Sequence, residues 1–173
     1  MCDSFTDAGE LVPGREGGRM DLGSITAQIV KMPGHTPGSL LVWVPEWNAL
    51  LTSDAIGAGV LWMQLPECRP LSEYEMQVRR LLVFLENEKV RTGIEVKIYP
   101  GHAQQILPEA EKEQDVLSYA YVEEVLRLTE KIQDNPQIGQ TKQIDYPGLG
   151  HVRVRSMGER LLYDYCYDED RVR

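Results

Sequence analysis

Three short apolar segments, each broken by a turn-forming loop with a metal-capable side chain, constrain this chain more than any other feature. Residues 25–32 (ITAQIVKM) carry β-branched side chains in rough alternation, which predicts a strand. PGHTPG follows at 33–38, and two prolines with two glycines in six positions demand an irregular loop. Residues 39–44 (SLLVWV) form a continuous apolar run of strand length, 45–48 (PEWN) a turn, and 49–52 (ALLT) a third strand. Together they read as a β-meander. The third strand runs into Ser53-Asp54-Ala55, and a later strand at 96–99 (VKIY) ends in Pro100-Gly101-His102. Strand ends give a rigid base and their loops give access, so His35, Asp54 and His102 stand where sites are commonly built.

Between and after these loops the hydrophobic period changes. Ser72 and Glu75 match a capping box, and Tyr74, Val78, Leu81, Leu82 and Leu85 fall at helical spacing, which predicts a helix over 72–88. A second helix is expected within 108–133, with Pro108 in its first turn and Val122, Val125, Leu126 and Ile132 on one face. Residues 151–155 (HVRVR) and 160–165 (RLLYDY) read as strands, and the glycine-rich stretch 1–24 as loops with one short strand. This mixture indicates an α/β or α+β domain. At 173 residues and 42% hydrophobic composition the chain can bury a core, and no repeat, low-complexity tract or linker divides it, so 1–173 reads as a single domain.

The formal net charge of −9 repels phosphate backbones and anionic lipid, which argues against a nucleic-acid or membrane-surface role. No apolar run approaches the 18 residues of a membrane span. Cys2, Cys68 and Cys166 are widely spaced with no CxxC pair, and the N-terminus lacks the regions of a signal peptide. A reduced, cytoplasmic protein is the expectation.

A neutral imidazole donates one ring nitrogen to a metal, and a carboxylate between two imidazoles can bridge two metals. His35, Asp54 and His102 are too far apart in sequence to chelate locally, so only the fold can bring them together. Each also has an ordinary explanation: a histidine in a glycine-rich loop often only hydrogen-bonds at the surface, and an aspartate after a strand often caps or turns.

The ordered set PGHTPGS, LLTSDAI and YPGH resembles the C-terminal half of the metallo-β-lactamase fold hydrolases, over about residues 20–102. Ser53 stands where the family form GHTPGS…TGDA…GH has glycine, and 103–173 reads as a helical and β extension. The resemblance implies a partial αββα sandwich, mainly the C-terminal β-sheet with flanking helices. It implies that His35 binds a first metal, that His102 binds a second, and that Asp54 bridges the two and serves the catalysis. The metals implied are two zincs, with iron or manganese in some members. The implied chemistry is hydrolysis of an ester, thioester or lactone-like small molecule by a metal-bound hydroxide, with the metals stabilising the developing oxyanion.

The family's HxHxDH loop, which supplies four further ligands, does not occur here, because the histidines are His35, His102 and His151. The chain therefore reads as a C-terminal portion that lacks the N-terminal half and is inactive or weakly active alone. Its expected partners are a substrate and either a complementary N-terminal half or a second copy, since a lone half would expose the apolar face carrying SLLVWV and ALLT. The competing class is a non-catalytic remnant that oligomerises or binds a partner. His151 reads as a turn or strand-start residue, Cys68 as a thiol without a supported reactive role, and the acidic run 109–115 as a solvated helix face. Trp62, Met63 and Tyr74 follow Asp54 where relatives line a cleft, although core packing suffices for Tyr74. Tyr163, Tyr165 and Tyr167 alternate as in a strand, with edge packing expected.

Overall fold

The computed structural model describes residues 18–57, 59–101, 116–146, 150–162 and 164–173, with Tyr146 and His151 described by their backbone alone. His102, Cys2, Pro108, Tyr163 and the acidic run 109–115 lie outside the described residues. The class is α+β, as expected: two mixed sheets and two long helices.

The first sheet holds the meander. Strands β1 (Arg19–Asp21), β2 (Thr26–Lys31), β3 (Leu40–Val44) and β4 (Ala49–Ser53) pair antiparallel in chain order. The turn between β3 and β4 is a 3-10 segment, Pro45–Trp47, closed by Asn48 in the left-handed region. Strand β6 (Lys97–Pro100) then adds parallel to β4. Pairing places Ile29, Val42, Leu51 and Tyr99 in one row across the sheet, and Gln28, Trp43, Leu50 and Ile98 in the row on the opposite face. The second face is the covered one: Leu41, Trp43, Leu50 and Ile98 are buried, and the Trp43 ring meets Phe84 edge to face at 5.4 Å.

Phe84 belongs to α1 (Leu71–Thr92), whose buried face also carries Tyr74, Val78, Leu81 and Leu85. The helix is longer than its sequence signals, and the expected capping box is not formed. It begins at Leu71 after Pro70, whose carbonyl accepts from the amides of Glu73 and Tyr74, so Ser72 already lies inside the first turn. Glu75 instead accepts from Arg79 Nε at 2.7 Å and from Gln133 on the second helix. The helix ends where Gly93 takes φ +73° and donates to Lys89 O. Helix α2 (Tyr119–Asp134) starts at Ser118, whose hydroxyl caps the Tyr121 amide, and it packs on α1.

The second sheet was only half legible. Its order is β5 (Val60–Met63), β9 (Asp164–Tyr167), β8 (Gly150–Met157), β7 (Gln140–Tyr146). Strand β8 covers the expected 151–155. The run expected at 160–165 is instead a turn that leads into β9: the amides of Leu161 and Leu162 both bond the carboxylate of Glu124 on α2 at 3.0 Å. Strand β9 lies between β5 and β8 rather than at an edge, so Tyr165 and Tyr167 are fully buried instead of packing at a rim. Tyr165 joins this sheet to α2 through a 2.9 Å bond between its hydroxyl and that of Thr129. No helix among the described residues is long and apolar enough to cross a membrane.

Candidate metal centre

The loop between β2 and β3 is built by its own sequence. Met32 N donates to Ser39 O at 2.9 Å and closes the neck. Inside, Gly34 N donates to Thr36 O (3.1 Å) and Thr36 N to Ser39 Oγ (3.1 Å), so the threonine and serine of GHTPGS serve as turn formers. Two outside contacts fix the loop from the segment after β5. Arg69 N donates to Gly34 O at 2.8 Å, and the Cys68 thiol donates to His35 O at 3.1 Å.

The second loop follows β4. Buried Thr52 donates its hydroxyl to Ile56 O at 3.0 Å, and Ala55 N donates to Thr52 O at 3.1 Å. Ser53 has φ +48°, in the left-handed region that favours glycine, which accounts physically for glycine at this place in the resembling motif. Gly101, at the end of β6, backs onto this turn. Its amide donates to Ser53 O at 3.2 Å, and a Cβ there would meet Ser53 Cα at 3.0 Å.

These two loops bring His35 and Asp54 together, with Nε2 and Oδ2 4.0 Å apart. The His35 side chain is 14% exposed and that of Asp54 41%, so the pair sits at an opening rather than in the core. His35 Nδ1 lies 2.6 Å from Trp62 O. A carbonyl can only accept, so Nδ1 carries a proton and donates to it, and Nε2 is the ring nitrogen that faces Asp54. This orienting bond is the kind that fixes a ligating histidine in metal sites. A 4.0 Å gap is too long for a hydrogen bond; two donors bonded at ~2.0–2.2 Å to one tetrahedral ion stand about 3.3–3.6 Å apart, so the pair would close by a few tenths of an ångström to share one. His35 and Asp54 are thus two metal-capable side chains that face each other across the two loops. His102, the third expected ligand, directly follows Gly101 but lies outside the described residues, and no group of three or more His, Cys, Asp or Glu gathers among the described ones.

Trp62 enters the site through its backbone carbonyl, which no side-chain pattern announces. Burial pushes the Cys68 thiol up to about 11, so it is a protonated donor and not a nucleophile at neutral pH. Arg171, near the C-terminus, donates to Leu65 O at 2.6 Å and to Cys68 O, and so ties down the segment that holds the His35 loop.

No family model matches the chain. Among curated proteins it is similar to an uncharacterized protein of Mycobacterium leprae (strain TN), 42% identical over 43 residues, which are 24% of this chain and 20% of that protein. It is also similar to the acyl-coenzyme A thioesterase MBLAC2 of Gallus gallus, 31% identical over 88 residues, 51% of this chain and 30% of the thioesterase. The chain thus spans between a fifth and a third of the length of these curated relatives. Solved structures with partial likeness include an archaeal metallo-beta-lactamase superfamily protein from Sulfolobus tokodaii (TM-score 0.46, 19% identity, 78% of this chain and 44% of that one). ETHE1 from Myxococcus xanthus gives a TM-score of 0.48 at 20% identity, over 81% of this chain and 58% of the other.

Proposed function

We propose that this chain supplies His35, Asp54 and His102 to the site of a metallo-β-lactamase superfamily hydrolase that acts on a thioester. The observation that carries this is the oriented pair: His35 held by Trp62 O, with Nε2 4.0 Å from Asp54 Oδ2. The thioester class rests on the likeness to the thioesterase of Gallus gallus. A divalent metal at the pair, zinc or else iron or manganese, would supply Lewis acidity and a nucleophile at neutral pH. His35 would hold it through Nε2 and Asp54 through its carboxylate. The chain's own work is positional. Trp62 O keeps the proton on Nδ1, Cys68 and Arg69 pin the loop, and the open side of Asp54 admits the substrate. A catalytic zinc needs three protein donors; with His35 on one metal, His102 on a second and Asp54 shared, each has two, so in this reading the remaining donors come from a complementary segment or a second copy.

Zinc titration of the purified chain tests the pair. Wild type is expected to bind zinc, and His35→Ala to bind at least about tenfold more weakly. Equal, near-zero zinc content in both would overturn the reading. Hydrolysis of a short acyl thioester, assayed with and without zinc, is expected to require the metal.

One observation favours a second reading, an oligomerising or partner-binding module: the outer row of the first sheet is apolar and open. Met20, Leu40, Leu51 and Tyr99 are all exposed on that face. Sedimentation decides whether a second copy covers it, and a compact monomer at micromolar concentration removes that partner.

A further inference from the structure

We propose that Tyr74 is a positioning residue that sets the spacing of His35 and Asp54. The inference builds on the proposed metal pair. Tyr74 lies in the first turn of α1 and is fully buried. Its ring edge rests on Gly34, the residue before His35: a Cβ at Gly34 would come within 2.3 Å of Tyr74 Cδ2 and 2.9 Å of Cε2. Its hydroxyl donates to Ala55 O at 2.7 Å, and Ala55 is the residue after Asp54. One rigid side chain therefore touches the chain beside both members of the pair.

The strut has a firm base. Tyr74 N donates to Pro70 O, and the residue before Pro70 is Arg69, whose own amide holds Gly34 O. Helix start, ring, loop and hydroxyl thus close a circuit around the pair. Burial raises the phenol well above its ordinary value, so it stays a donor throughout the accessible pH range. Core packing alone requires neither the hydroxyl nor a glycine at 34. Phenylalanine or leucine would fill the same space, but only a phenol of this length reaches Ala55 O from a ring seated on Gly34.

Tyr74→Phe removes the hydroxyl and keeps the ring. Tyr167→Phe is the control, since from a fully buried ring in the second sheet it loses a bond donated to Pro136 O at 2.9 Å and one accepted from Gly139 N at 3.1 Å, both far from the pair. Two readouts are taken: amide hydrogen exchange of the metal-free protein, and zinc affinity by competition with a chelator. In Tyr74→Phe the amides of Ala55 and Arg69 are expected to exchange about five- to tenfold faster than the change in global stability accounts for. Zinc affinity is expected to fall by a similar factor. Tyr167→Phe is expected to change neither beyond its global effect. Gly34→Ala, which drives the ring from its seat, is expected to give the same local signature. If Tyr74→Phe alters exchange only in proportion to global stability, as the control does, the strut is overturned. If wild type binds no zinc while the local exchange effect appears, the metal reading fails and the strut stands.

Discussion

The two faces of the first sheet are both apolar and differ in how much of that surface they hide. On one face Leu41, Leu50 and Ile98 are fully buried and Trp43 nearly so, under α1. On the other, Leu40, Leu51 and Tyr99 are 44%, 43% and 37% exposed. A strand that alternates hydrophobic and polar residues declares which face it means to bury. One that is apolar on both faces belongs to a sheet covered twice. Here α1 covers one face, while on the other Ala27, Val44 and Ala49 are buried and Leu40, Leu51 and Tyr99 are not. The asymmetry lies between a face packed under α1 and a face that keeps large apolar side chains in water.

Stability measurements on neighbouring residues break or sharpen this contrast most directly. Leu50→Ala, on the covered face, is expected to cost about 2–5 kcal/mol in urea denaturation. Leu51→Ala, one residue on and facing outward, is expected to stay within about 0.5 kcal/mol. A large loss at Leu51 as well would mean that the outer face is covered in solution.

The next effect comes from the end of the same strand. Ser53 holds a left-handed φ that disfavours a side chain by about 1–2 kcal/mol, part of which the greater freedom of an unfolded glycine offsets. Ser53→Gly is expected to raise stability by about 0.5–1 kcal/mol. A loss would show that the serine hydroxyl, and not the backbone, decides this turn.

The smallest effect lies among the exposed ion pairs, far from either face. Hydrogen bonds from Arg127 and then Lys131 hold the Glu159 carboxyl down at about 2. A depressed carboxyl stabilises the fold above its unfolded pKa, about 4.3, and that contribution is lost as pH falls from there toward 2. Thermal melts of Glu159→Gln and wild type should therefore differ near neutral pH and converge in acid. The gap should stay below about 1 kcal/mol, because a third of the side chain is in water.

The first sheet was legible because its signals are local. Proline and glycine bound each strand, and ALLT and SLLVWV are too short for helices. The His35 and Asp54 loops were legible for the same reason, since their own side chains form the turns. The second sheet was harder. Strand β7 (QTKQIDY) is mostly polar, and β5 is four residues that acquire their role only by pairing with β9, a hundred positions away. The true start of α1 was masked because Ser72 and Glu75 imitate a cap, while the helix begins at Leu71, directly after Pro70. The supports of the pair, Trp62 O and the Tyr74 hydroxyl, were invisible because a backbone acceptor has no letter and a buried tyrosine looks like any core residue.

The carboxylate of Glu124 carries a further consequence, for the order in which the chain assembles. It is buried and collects the amides of Leu161 and Leu162 across some 37 positions of sequence. Such an acceptor is fixed in space only once α2 is wound, and closing a long loop onto it gains nothing earlier. The turn into β9, the strand that joins β5 to β8, is thus latched to a helix side chain rather than to its own sheet.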